Sequence, residues 1–141
     1  MEYIDVLSPL SLFMKPLSVE DWMNIENLNN NERSWNMMMH KVASFHSKFD
    51  FDNPENKGHD MGYRIALTVE ELGEFAAAIT KEKPLEEAAE ELADILILIL
   101  GHSLALKVDL YDEFCMKMEK IMNRPAIKTK LGIRVTEYKN E

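Results

Sequence analysis

A chain of 141 residues with a formal net charge of −9 has the length of one domain, and its acidic balance leaves no concentrated Lys/Arg surface for nucleic-acid phosphates. Hydrophobic residues make up 46%, enough to build a core and too many for a disordered chain. The most apolar run, Ile95 to Leu100, lies between Asp94 and His102 and falls well short of the ~20 residues that a bilayer span requires.

The chain opens Met1-Glu2-Tyr3-Ile4-Asp5 with no basic region, unlike a secretory signal. Its single cysteine, Cys115, cannot form an internal disulfide, so a reducing, cytoplasmic location is expected. Between Phe114 and Met116, that thiol reads as core. With only 5 Gly and 5 Pro, placed mostly between periodic stretches, the expected class is all-α.

Residues 1–30 read as an N-terminal arm, irregular around Pro9 and Pro16. Within the arm, Ser18 and Asp21 form a capping box that opens a short helix to about Asn29, with Trp22, Ile25 and Leu28 on one side. A second helix is expected from about Asn31 to Phe49, because Trp35, Met38, Met39, Val42, Phe45 and Phe49 recur every three or four residues as a core stripe. Asp50 to Asp60, with Asn53-Pro54 and Lys57-Gly58, is a polar loop. Helical patterning returns from Met61 to Thr80, breaks at Lys81-Glu82-Lys83, and resumes from Pro84 to about Lys107. Asp109 and Asp112 open a last helix, which Pro125 ends. Residues 31–125 thus form one four-helix domain. The tail, 126–141, alternates weakly around Ile133 and Val135, and a short strand, a partner-clasping arm and a disordered end all remain open.

The chemistry concentrates in Glu70-Glu71-Leu72-Gly73-Glu74 and Glu91-Leu92-Ala93-Asp94. At about 100° per residue, Glu70, Glu71 and Glu74 fall within roughly a quarter-turn of one helix, and Glu91 and Asp94 share a face of the next. The Lys81–Lys83 turn lies midway between the two sets, so an antiparallel hairpin sets Glu71 opposite Asp94 and Glu74 opposite Glu91, across roughly 8–10 Å. Like charges in a partly desolvated groove would take up protons unless cations neutralise them. Carboxylate-only ligation selects hard ions: Mg²⁺ first, with Mn²⁺ as a substitute. A di-iron carboxylate bundle would need Glu-x-x-His, yet Met37, Ala43, Asn56 and Ile99 stand three residues before His40, His46, His59 and His102. His102 reads instead as a satisfied core or boundary histidine.

Glu82, Glu86, Glu87 and Glu90 read as a solvated face. The motif acids differ, since they sit among Leu67, Val69, Leu72, Phe75, Ala76, Leu92, Ala93 and Ile95, with almost every direction around the helix apolar. Gly73 costs its helix about 1 kcal/mol relative to Ala, which implies a close approach there.

These two motifs at hairpin spacing resemble the all-α MazG-like nucleotide pyrophosphohydrolases, whose signature is Glu-Glu-x-x-Glu followed a helix later by Glu-x-x-Asp; the likeness covers about residues 35–125. It implies a Mg²⁺-dependent enzyme that cleaves a nucleoside or deoxynucleoside triphosphate into monophosphate and pyrophosphate. By the same resemblance Glu71, Glu74, Glu91 and Asp94 hold the metal, and Glu70 positions or deprotonates the attacking water. Lys117, Lys120, Asn123 and Arg124 on the last helix contact phosphates, although cations at a helix C-terminus are also favourable in themselves. Base recognition is expected from Trp35, Asn36 and His46, with Phe49 nearby. The apolar faces left over by short helical hairpins predict a homodimer or homotetramer. Two alternatives stand beside this reading: the related phosphoribosyl-ATP pyrophosphohydrolase, and a non-catalytic metal-binding assembly module.

Overall fold

The computed structural model describes residues 17–25 and 34–136. The helices are α1 (Val19–Met23), α2 (Trp35–Lys48), α3 (Met61–Thr80), α4 (Leu85–Leu106) and α5 (Leu110–Met122), followed by the strands β1 (Ala126–Thr129) and β2 (Gly132–Val135). The class is all-α, with a two-stranded hairpin as the one sheet among the described residues. None of these helices is long and apolar enough to cross a membrane. Two compact units divide the chain, residues 1–109 and 110–141.

In the first unit the capping box forms as its spacing dictates. The Ser18 hydroxyl accepts from the Asp21 amide at 3.0 Å, and the Asp21 carboxylate accepts from the amides of Ser18 at 3.1 Å and Leu17 at 3.0 Å. The helix it opens is shorter than expected, because Asn24 is already its C-cap. Asparagine competes for backbone hydrogen bonds and favours such an end. Leu28 lies outside the described residues. Ser34 caps α2 by accepting from the Met37 amide at 3.2 Å, so that helix starts a turn later than Asn31.

The core forms where α1, α2 and the C-terminal half of α4 meet: Val19 and Trp22, then Met39, Val42 and Ala43, then Leu100 and Leu104, with Trp35 and Met38 packed against them. The predicted α2 stripe holds as far as Val42 and then departs from expectation. Phe45 and Phe49 are exposed at 41% and 52%. They pack edge-on against one another, and Phe45 also meets Phe51, with ring centroids 5.5 and 5.1 Å apart. The position they leave in the core is taken by His46, 1% exposed.

Helices α3 and α4 form the antiparallel hairpin. The Asp60 carboxylate caps α3 by accepting from the Tyr63 amide at 2.9 Å. The turn closes when Glu82 takes a left-handed φ of 49° and the Lys83 amide donates to the Ala78 carbonyl at 3.0 Å. Ala78 and Ala88, both buried, are small enough to bring the helices together beside this turn. Outside that seam, Ile65, Val69, Leu72 and Ile79 of α3 and Leu85, Leu92, Leu96 and Ile99 of α4 are exposed. The motif acids are therefore not enclosed by apolar neighbours within one chain, contrary to the expectation from helical patterning; the apolar residues between them point outward.

Gly73 is a second departure, since a Cβ built there meets nothing within 4 Å. The close approach occurs at Gly101 instead, where an added Cβ would collide with the Arg64 guanidinium and lie 2.8 Å from His46 Nε2.

In the second unit, α5 has no buried residue. Cys115 is accordingly exposed and not core, because no described residue of its own unit buries the Phe114–Met116 stretch. The tail takes the strand form of its three alternatives. Ala126 pairs with Val135 and Thr129 with Gly132 in antiparallel register, and the Thr136 amide donates to the Pro125 carbonyl at 3.1 Å to close the hairpin base.

Candidate metal centre

Glu71 stands near the middle of α3, and Glu91 and Asp94 sit one turn apart on α4. Antiparallel packing brings the three together: one carboxylate oxygen from each lies within 4.8 Å of the others. All three are partly buried. Glu74 and Glu70 are more exposed and lie outside this close trio, although both charges act on it.

The electrostatics follow from that crowding. Glu71 is held above the usual carboxylate range, first by partial burial and then by the charges of Glu74, Asp94, Glu91 and Glu70. Glu91 is likewise pushed up, by partial burial and then by Glu74, Asp94 and Glu90, while a hydrogen bond with Glu71 works in the opposite direction. Every charged neighbour acting on either group is another acid. Three converging carboxylates with no compensating cation among those influences, and no histidine or thiol in the set, have the donor chemistry of a hard divalent ion.

Residues 63–127 match the family model of the MazG nucleotide pyrophosphohydrolase domain. This segment is similar to a MazG domain. It takes in all but the first two residues of α3, then α4, α5 and the start of β1, whereas α1 and α2 precede it. No curated protein and no solved structure matches the chain.

The remaining residues singled out in the sequence are distributed as follows. In the second unit, Lys117 and Lys120 are exposed on α5, and Asn123 and Arg124 follow its last turn. The Asn123 side-chain amide donates to the Glu119 carbonyl at 3.0 Å. In the first unit, Trp35 packs against the core cluster, Asn36 beside it is exposed, and His46 is buried with its Nδ1 2.8 Å from His59 Nε2. Trp35 and His46 lie about three turns apart on α2, so these three side chains do not converge.

Sequence reasoning missed the polar contacts that join the two helices of the α3–α4 hairpin just beyond the acids. Arg64, 3% exposed, donates from Nη2 to the Leu98 carbonyl of α4 at 3.1 Å and from Nε to His102 Nδ1 at 3.0 Å. Thr68 meets His102 Nε2 at 2.8 Å. Thr68 and Glu71 are consecutive turns of α3, and His102, Leu98 and Asp94 are consecutive turns of α4, so one seam carries both the polar contacts and the acids. The available signal was Arg64 opening an otherwise apolar helical stretch, with Gly101-His102 interrupting the opposing one.

Proposed function

We propose that the chain hydrolyses a nucleoside or deoxynucleoside triphosphate to the monophosphate and pyrophosphate, dependent on Mg²⁺, with Mn²⁺ as a substitute. The observation that carries this reading is the convergence of Glu71, Glu91 and Asp94 across α3 and α4, inside a segment that matches a nucleotide pyrophosphohydrolase domain.

Glu71, Glu91 and Asp94 hold the metal, and Glu74, whose charge already reaches Glu71 and Glu91, completes the set. A bound divalent ion there polarises phosphoryl oxygens and lowers the pKa of water. In a chain of net charge −9 these acids also repel a polyphosphate until a cation neutralises them, which makes metal a condition of substrate binding. Glu70, beside Glu71 and more exposed, orients the attacking water and accepts its proton. The water oxygen bonds to phosphorus as the α–β phosphoanhydride breaks and pyrophosphate leaves. Lys117, Lys120, Asn123 and Arg124 offset the phosphate charge, and Trp35, Asn36 and His46 belong to the part of the chain assigned to the base. The working form is a homodimer or homotetramer, in which a second copy covers the exposed apolar stripes of α3 and α4.

Pyrophosphate release from a panel of NTPs, dNTPs and phosphoribosyl-ATP, with and without Mg²⁺, tests the reading. Turnover of at least one NTP or dNTP only with the metal is expected. Glu71→Gln should lower it by about 100-fold or more, while Glu86→Gln on the solvated face leaves it unchanged. Selective turnover of phosphoribosyl-ATP would reassign the substrate. Absence of turnover on the whole panel would leave the acids a role in assembly alone.

A further inference from the structure

At the end of the α3–α4 hairpin remote from its turn, three histidines surround a buried arginine. His46 comes from α2, His59 from the segment that links α2 to α3, Arg64 from α3 and His102 from α4. Besides its two contacts to α4, Arg64 donates from Nη1 to the Gly58 carbonyl at 3.0 Å, which ties the linking segment to the helices. His46 Nδ1 and His59 Nε2, 2.8 Å apart, tie the same segment to α2.

The hydrogen-bond directions fix protonation. Guanidinium nitrogens only donate, so His102 Nδ1, 3.0 Å from Arg64 Nε, accepts and carries no proton. Thr68 Oγ1 donates to the Arg64 carbonyl at 2.9 Å and is left to accept from His102 Nε2 at 2.8 Å. His102 is therefore the neutral Nε2–H tautomer. One nitrogen of the His46–His59 contact must likewise be bare. A doubly protonated ring at His102 breaks the bond that anchors Arg64 to α4, and doubly protonated rings at both His46 and His59 break the bond that ties the segment to α2; each sets a cation near Arg64.

We propose that this histidine–arginine cluster is an acid-operated latch, which holds residues 50–60 against α2 and α3 near neutral pH and releases them on acidification.

The charges around the cluster support that direction. His46 is lowered to about 3 by burial, then by Arg64, His59 and His102. His59 is lowered by burial and by Arg64; Asp52 on the segment itself opposes this, and Lys107 beyond α4 adds to it. His102 is lowered by burial and by Arg64. Asp52 is the single acid among these influences, and it is exposed, so the cluster holds no buried carboxylate to receive a new proton's charge. Groups whose folded pKa is depressed give their full stabilisation above the ordinary histidine value near 6.5 and lose it as pH falls towards the folded values.

Amide hydrogen exchange on the full chain, corrected for intrinsic exchange and followed from pH 7.5 to 4.5, tests the latch. Opening of residues 50–60 should rise by up to about tenfold per pH unit for each histidine that is released, while α2 from Trp35 to Val42 and α4 from Ala88 to Ile95 keep their protection. His59→Gln, which retains a hydrogen-bonding amide but does not titrate, should flatten that slope. Equal loss of protection along the whole chain, no rise in residues 50–60, or a His59→Gln slope as steep as the parent's would each overturn the proposal. If the variant does not fold, the parent profile decides alone. None of these readouts uses turnover, so a failure of the latch and a failure of the proposed reaction are separable.

Discussion

In the proposed metal centre, protons and metal ions compete for Glu71 and Glu91. Both hold their protons to higher pH than an ordinary glutamate because partial burial and neighbouring acids disfavour the charged form, and ligation requires that form. The affinity of the folded chain for Mg²⁺ should therefore fall between pH 7.5 and 5.5, with protons released on binding; calorimetry in buffers of different ionisation enthalpy reads both. Without metal the sign reverses. A carboxylate whose folded pKa is raised binds more protons folded than unfolded, so acidification relieves the repulsion and favours the folded state. The histidines around Arg64 act oppositely, since their folded values are lowered. The rise in Tm produced by Mg²⁺ should consequently be larger at pH 7.5 than at pH 5.5. An equal rise at both values would mean that protons and the ion do not share these groups.

At the level of elements, the α3–α4 hairpin was legible because its signals are local and periodic: the end of the polar loop at Asp60, the break at Lys81–Lys83 and the carboxylate spacing. The same arithmetic that opposed Glu71 to Asp94 is realised in the converging trio. What sequence periodicity could not supply was the direction of burial. A helix with apolar residues on most sides has no unique inside until its neighbours are known, so Val69, Leu72 and Leu92 read as surroundings for the acids although they face outward. The arm helix and the Phe45–Phe49 end of α2 were misjudged for a related reason, because caps and aromatic clusters end a stripe without changing its period. Glycine illustrates the point most simply. Gly73 and Gly101 both interrupt helices, but only Gly101 has a neighbour that excludes a side chain. Gly73→Ala should therefore stabilise the chain by about 0.5–1 kcal/mol through helix propensity, read from denaturant unfolding. A destabilisation would show that another copy closes on that side of α3.

The exposed stripes of α3 and α4 are a matter for the whole molecule. Ile65, Val69, Leu72 and Ile79 recur at helical spacing along α3, and Leu85, Leu92, Leu96 and Ile99 do so along α4. A contiguous apolar face of this kind on adjacent helices exceeds what a soluble monomer usually leaves in water. Self-association is the simplest cover, because an isologous interface sets the same stripe against itself. Replacing Leu72 by Glu puts two symmetry-related charges into such an interface, where desolvation and mutual repulsion both oppose assembly. Light scattering of the parent chain should give a dimer or tetramer, and Leu72→Glu should reduce its mass to that of the 16.3 kDa chain with helical circular dichroism retained. A parent chain that is already monomeric would refute the assembly. A variant that keeps the parent's mass would place the interface elsewhere on the molecule, and the exposed face of α5, with Phe114, Met118 and Met122, would then be the surface to probe with the same substitution.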